Sequence, residues 1–247
     1  TEVQQYATDE ALFKLIRQRG IIGMALSLII FDCDGVIADS EVLSASVLID
    51  QLAALGIAVT PADVRRDFLG RSFPTVATTI HQRFGNPLPA EFEMEYRTRL
   101  LERFAAELRH TPGFMAMLDG LSVPSCIATS SSPERAGRTL QVLGLADRFA
   151  GRVFTASQVR RGKPAPDLFL FAADRMGCAP ADALVIEDSA PGIAAALAAG
   201  MRILHYAGGA HLRGTDPMVL PDGMQSFDNW TDFPQLLTDQ PEGADIP

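Results

Sequence analysis

The run Leu26-Ser27-Leu28-Ile29-Ile30-Phe31 is apolar at nearly every position and stops abruptly at two carboxylates, Asp32 and Asp34. A strand with one wet face alternates apolar with polar residues. A run that is apolar on both faces belongs inside a parallel sheet covered on both sides. Short runs of the same kind recur at residues 125–129, 152–155, 183–186 and 202–206, and helical patterns at Glu134–Leu143, Asp167–Met176 and Gly192–Ala199 separate the later ones. Strands alternating with helices predict an α/β fold with a Rossmann-like parallel sheet core. Residues 41–110 break that rhythm. Helical patterns at Val42–Leu55, Pro61–Phe68, Thr75–Phe84 and Ala90–Leu108 follow one another there with no buried strand between them. The expected organisation is an α/β core built from residues 24–40 and 111–247, with an inserted all-helical cap domain at 41–110. Its edges are Asp39-Ser40 and Thr111-Pro112-Gly113, where Pro and Gly punctuate the chain. Residues 1–23, with Tyr6, Leu12, Phe13, Leu15 and Ile16 spaced as in a weak amphipathic helix, read as an N-terminal appendage.

A chain of 247 residues that is 47% hydrophobic can bury such a core. Its formal net charge of −9 argues against nucleic acid or an anionic membrane as partner. A small anionic ligand would need a locally positive site. No apolar run reaches the roughly 18 residues a spanning helix needs. Asp9, Glu10 and Lys14 interrupt the opening stretch, and Cys33, Cys126 and Cys178 are scattered without paired spacing. The expected setting is therefore the reducing cytoplasm, with no cleaved leader, disulfide or zinc.

Four places carry chemistry. In extended chain, side chains two apart point the same way, so Asp32 and Asp34 face one small volume at the strand's C-terminal end and Cys33 faces away. Ligands of open α/β sheets bind at that end. Carboxylates so placed invite a hard divalent cation, although the same acids also serve to cap a turn. Glu187-Asp188 follows the run at 183–186 in the same manner, with Asp188 the better inner metal ligand and Glu187 a looser or water-mediated one. Thr129-Ser130-Ser131-Ser132 ends another strand before Pro133-Glu134, where hydroxyls and free N–H groups suit a phosphate as well as an ordinary helix start. Lys163, between Gly162 and Pro164, is held extended by the following proline, which helps aim its ammonium inward.

In their joint order, over residues 26 to about 210, these segments resemble the four motifs of the haloacid dehalogenase-like superfamily. The Asp32-Cys33-Asp34-Gly35-Val36 and Gly162-Lys163-Pro164-Ala165-Pro166-Asp167 segments are the most specific parts. The resemblance implies a phosphoric monoester hydrolase working through an aspartyl-phosphate. Asp32 would be the nucleophile and Asp34 the general acid and base. Thr129, Ser130 and Ser131 would bind the phosphoryl group, and Lys163 would balance charge. Mg2+ would be held by Asp32, the Asp34 carbonyl and Asp188, with Glu187 nearby. An inserted helical cap implies a small phosphorylated metabolite, and Glu41 and Arg71 are the candidate cap residues for binding it. Beta-phosphoglucomutases, of similar design, carry a His where Ser44 stands and an Arg where Phe73 stands. That difference favours a phosphatase for a sugar phosphate or sugar-acid phosphate, with mutase or phosphoglycolate phosphatase as alternatives. His81 and His110 read as structural, and the loop Ala207-Gly208-Gly209-Ala210-His211 as either a border of the site or a simple turn.

Overall fold

The computed structural model describes residues 26–85 and 87–238. The segment at 1–23 and the tail beyond residue 238 lie outside the described residues. Six strands form one parallel sheet: β1 (Leu28–Phe31), β2 (Ser125–Thr129), β3 (Val153–Thr155), β4 (Ala183–Glu187), β5 (Arg202–Tyr206) and β6 (Ser226–Phe227), in the order β3-β2-β1-β4-β5-β6. The first strand in sequence is thus central. Ile29 pairs with Ser125 on one side and with Leu184 on the other.

The double-sided apolar pattern of β1 has the expected cause. Ile29 and Phe31 belong to one apolar cluster, and Leu28 and Ile30 to another. On the first face Phe31 meets Phe114 and Trp230 edge-on, at 5.6 and 6.0 Å between ring centroids. That face is covered by α5 (Phe114–Gly120), α6 (Pro133–Val142) and α9 (Phe233–Thr238). On the other, the small residues Ala172, Ala173, Ala195 and Ala196 let α7 (Asp167–Arg175) and α8 (Ala190–Ala198) lie close on the sheet. Burying the four side chains of β1 contributes on the order of 10 kcal/mol before chain entropy is counted.

Between β1 and β2 lie α1 (Glu41–Ala54), α2 (Pro61–Asp67), α3 (Phe73–Phe84) and α4 (Phe92–Glu107), the helical cap. Local signals set their ends. Thr60 and Asp63 form a reciprocal capping box with Pro61 at the first helical position, and Gly85 ends α3 at φ +80°. The two chain passages joining cap and core run side by side: Asp39 N–H donates to Arg109 O (2.9 Å) and Thr111 N–H to Ile37 O (2.9 Å). Among the described residues no helix is long and apolar enough to cross a membrane.

Three elements have no counterpart in the sequence reading: α5, β6 and α9. Strand β6 has two residues, too short for any periodicity, and pairs because Trp230 and Phe233 anchor the chain beside Tyr206 and Phe227.

Candidate active site

Because β2, β1 and β4 are neighbours, their C-terminal ends bring Thr129, Asp32, Asp34, Glu187 and Asp188 to one edge. Asp32 is buried, and its N–H donates to Ile186 O at 2.9 Å, which fixes the backbone where β1 ends. Lys163 reaches in from the loop after β3. Its ammonium donates to Asp32 Oδ1, to Glu187 Oε1 (2.6 Å) and to Ala128 O (3.1 Å). The Lys163 side chain is 1% exposed. Burial pushes the Asp32 carboxyl well above its usual range, Lys163 pulls it back, and the charges of Glu187 and Asp188 push it up again.

Asp34 stands in a different environment. Its Oδ1 accepts from Ser40 Oγ (2.6 Å) and Arg135 Nη2 (2.7 Å), and its Oδ2 from Ser131 Oγ (2.6 Å). Burial alone would raise this carboxyl, but Arg135 and the two hydroxyls outweigh it and hold Asp34 below the ordinary carboxylate value. Arg135 also donates to Ser44 Oγ at 2.9 Å. Thr129 is buried and accepts from Ser131 N–H at 3.1 Å. Ser130 and Ser131 are half-buried on the cavity wall.

Glu187 has both oxygens engaged, one by Lys163 and the other by the N–H groups of Asp188 and Ser189 and the Ser189 hydroxyl, all at 2.9 Å. It positions Lys163 and the loop after β4. Asp188 Oδ2, by contrast, is buried without completing a hydrogen bond, although His211 Nε2 stands 3.0 Å away. Burial and the charge of Glu187 push the Asp188 carboxyl well up. A side chain at Gly35 is impossible there, since its Cβ would lie 1.9 Å from Asp188 Oδ2.

These features fit a divalent cation. Asp32, Glu187 and Asp188 share one positive partner, Lys163, and Asp188 keeps a buried oxygen in need of a second. Among the described residues no group of three or more His, Cys, Asp or Glu side chains is placed to hold a metal. The side chains here that could hold such an ion are Asp32 and Asp188, since both oxygens of Glu187 are already engaged.

The acids open onto a cavity of about 430 Å³ between core and cap, lined by Asp32, Asp34, Thr129 and, from the cap, Glu41, Arg71 and Phe73. Half-buried Glu41 begins α1, and burial together with the charge of Asp34 pushes its carboxyl up to about 7. Arg71 is exposed on the rim. Gly70, beside it, has φ +69°, and a Cβ there would come 2.4 Å from Ser189 Oγ, so the cap loop rests directly on the loop after β4. His81 is exposed in the last turn of α3, and His110 bonds Leu143 O at 2.9 Å, both away from the acids.

The sequence reading missed Arg135, Ser40 and His211 as members of the constellation. For Arg135 a signal existed: it is the third residue of α6, where the helix dipole disfavours a cation, so a buried Arg there implies an anion in front of it. The sequence marks Ser40 only as a linker residue, and His211 only as one member of a loop bordering the site.

The chain matches the family of haloacid dehalogenase-like hydrolases over residues 26–200. It is 25% identical over 212 residues to a 6-phosphogluconate phosphatase of Escherichia coli, covering 85% of this chain and 94% of that protein. It is 32% identical over 183 residues to a probable pseudouridine-5'-phosphatase of Drosophila melanogaster, covering 71% and 79%. Among solved structures, a haloacid dehalogenase-like protein of unknown function from Agrobacterium tumefaciens superposes with a TM-score of 0.72 at 29% identity, over 87% of this chain and 98% of that one. A hydrolase of the same family from Deinococcus radiodurans, solved with bound phosphate and sodium, gives 0.66 at 28% identity, over 88% and 97%. A helical cap over a parallel sheet with paired acids at its central edge, together with a family match across most of the chain, places this protein among the haloacid dehalogenase-like hydrolases.

Proposed function

We propose that this hydrolase is a Mg2+-dependent phosphatase for a small phosphorylated metabolite, a sugar phosphate or sugar-acid phosphate. The observation that carries the reading is the buried Lys163 bridging Asp32 and Glu187 beside the Asp34 and Thr129 groups. An Asp32 oxygen attacks phosphorus, the bond from phosphorus to the leaving oxygen breaks, and Asp34 gives that oxygen its proton. Water then attacks the aspartyl-phosphate and gives a proton to Asp34. The bond to Asp32 breaks and releases phosphate.

Lys163 counters the burial that favours the neutral form of Asp32, and Thr129, Ser130 and Ser131 contact phosphoryl oxygens. Bound Mg2+, with Asp32, Asp188 and the Asp34 carbonyl as its protein ligands, supplies neutralisation of phosphoryl charge. In the ligand-free site Arg135, Ser40 and Ser131 hold Asp34 ionised, the form that serves as base. An incoming phosphate dianion raises the proton affinity of Asp34, which suits it to the acid step. Arg135 occupies Ser44, so the position where the mutases carry a His is committed to holding Asp34, in keeping with water as acceptor.

The test is phosphate release by purified protein from phosphorylated sugars, sugar acids and glycolate, with Mg2+ or EDTA. Release that needs Mg2+ and vanishes in Asp32→Asn is the expected result. Interconversion of sugar 1- and 6-phosphates without release, or equal rates in Asp32→Asn, overturns the reading.

A further inference from the structure

The cavity has two unlike walls. The core side is Asp32, Asp34, Thr129 and the serines, whereas the cap side presents an apolar group, Phe68, Leu69, Phe73 and Tyr96, besides the polar Glu41, Glu93 and Arg97. Phe73, the first residue of α3, is half-buried. Its ring stacks on Tyr96 (centroids 5.6 Å apart, planes at 28°) and leans on Phe92 (6.3 Å, 31°). Phe92 and Tyr96 are one turn apart on α4 and so take the same side of the Phe73 ring, leaving its other side uncovered by them. Phe68 and Leu100 are buried in the same apolar cluster as Phe92 and Tyr96, so packed side chains hold this wall in place. Arg71 and Arg160 also line the cavity and are exposed, and neither side chain makes an ion pair or hydrogen bond among the described residues.

A phosphate ester bound with its phosphorus at Asp32 must direct its leaving group at this cap wall. An open-chain polyol or sugar acid carries hydroxyls on every side, and those turned to Phe73 and Leu69 would lose water without gaining a partner. A ring offers a flat face with few polar atoms to the wall and keeps its polar groups at the edge, where free guanidinium groups wait. A two-carbon acid would leave most of the 430 Å³ to water.

We propose that the leaving group carries a flat ring, as in a nucleoside 5'-monophosphate, with one face on Phe73 and its polar edge toward Arg71 and Arg160. This rests on the phosphatase reading and narrows it from open-chain sugar acids to ring-bearing sugar phosphates.

The experiment measures kcat/KM with Mg2+ for uridine 5'-monophosphate, sorbitol 6-phosphate, 6-phosphogluconate and phosphoglycolate. Acetyl phosphate serves as a substrate with almost no leaving group. Parent, Phe73→Leu, Phe73→Trp and Asp32→Asn proteins are compared. The expected result is at least a tenfold preference for the nucleotide over every open-chain ester. The ratio of nucleotide to acetyl phosphate turnover falls at least tenfold in Phe73→Leu, mainly through KM, and recovers in Phe73→Trp. Open-chain esters cleaved as well as the nucleotide, or a ratio unmoved by Phe73→Leu, overturn the ring assignment while leaving the phosphatase standing. Failure to cleave even acetyl phosphate above the Asp32→Asn level overturns both.

Discussion

Replacing Lys163 with Met keeps the length of the side chain and removes the charge that Asp32 and Glu187 share. The site then holds three neighbouring carboxylates, Asp32, Glu187 and Asp188, with no cation among them. Leaving a buried partner unpaired costs about 3–5 kcal/mol when that partner stays ionised. The protein can escape by taking up a proton at about 1.4 kcal/mol per pH unit between the folded pKa and the solution pH. Burial already raises Asp32, and loss of Lys163 raises it further. A carboxyl whose folded pKa is raised contributes fully below its unfolded value of about 4, and its contribution is lost as pH rises through the folded value. The deficit of the variant against the parent should therefore be small near pH 5 and reach about 3–5 kcal/mol near pH 8. Urea unfolding in EDTA at pH 5, 6.5 and 8 measures it, and 10 mM Mg2+ at pH 8 should restore part of the loss by binding only the folded site. A deficit equal at pH 5 and pH 8, or no deficit at all, refutes the reasoning.

Three further outcomes are expected. Glu41, raised to about 7, loses its favourable contribution progressively as pH climbs from about 4.5 through 7. Glu41→Gln should thus gain about 1 kcal/mol on the parent between pH 5 and 8 in EDTA, after solvent screening is allowed for; parallel pH curves would contradict this. Arg135→Met removes the charged partner of Asp34 and should lower kcat on the order of 10²-fold, with Arg135→Lys recovering part of it, and a kcat within twofold of the parent would dismiss the contact as incidental. Gly70→Ala meets a left-handed backbone and the Ser189 hydroxyl at once, so kcat/KM should fall at least tenfold, while the strain of about 1–2 kcal/mol costs only a few degrees in Tm; unchanged turnover would mean that the cap works without this close approach.

Much of the architecture is legible because β1, β2 and β4 are buried on both faces, and a covered parallel sheet satisfies that pattern. The acids are legible for a related reason: an apolar strand that ends in carboxylates must place them at the sheet's C-terminal edge. What sequence leaves dark is the partner of each acid. Nothing near Asp34 in the chain announces Arg135, 101 residues away, and nothing near Asp188 announces His211. Those pairings exist only once α6 and the loop after β5 have packed. The sequence places Glu187 as a looser or water-mediated metal ligand, whereas in the fold Lys163, from the loop after β3, takes one of its oxygens and the turn after β4 takes the other. Short elements such as β6 escape because two residues carry no period.

The antiparallel pairing of the two cap passages, through Ala38 and His110, also bears on how the chain reaches its fold. Ile29 and Ser125 are neighbours in the sheet, yet roughly 100 residues separate them, and synthesis at 5–20 residues per second puts about 5–20 s between their appearances. Throughout that interval the most apolar strand of the molecule has no partner. A condensed cap shortens the wait in space if not in time, because the bonds from Asp39 to Arg109 and from Thr111 to Ile37 bring its two ends together. The long loop closure that β1–β2 pairing would otherwise require is then reduced to a short one. The cap that lines the cavity is in this sense also the piece that must fold early, and pulse-labelled hydrogen exchange should find α1 and α4 protected before β1.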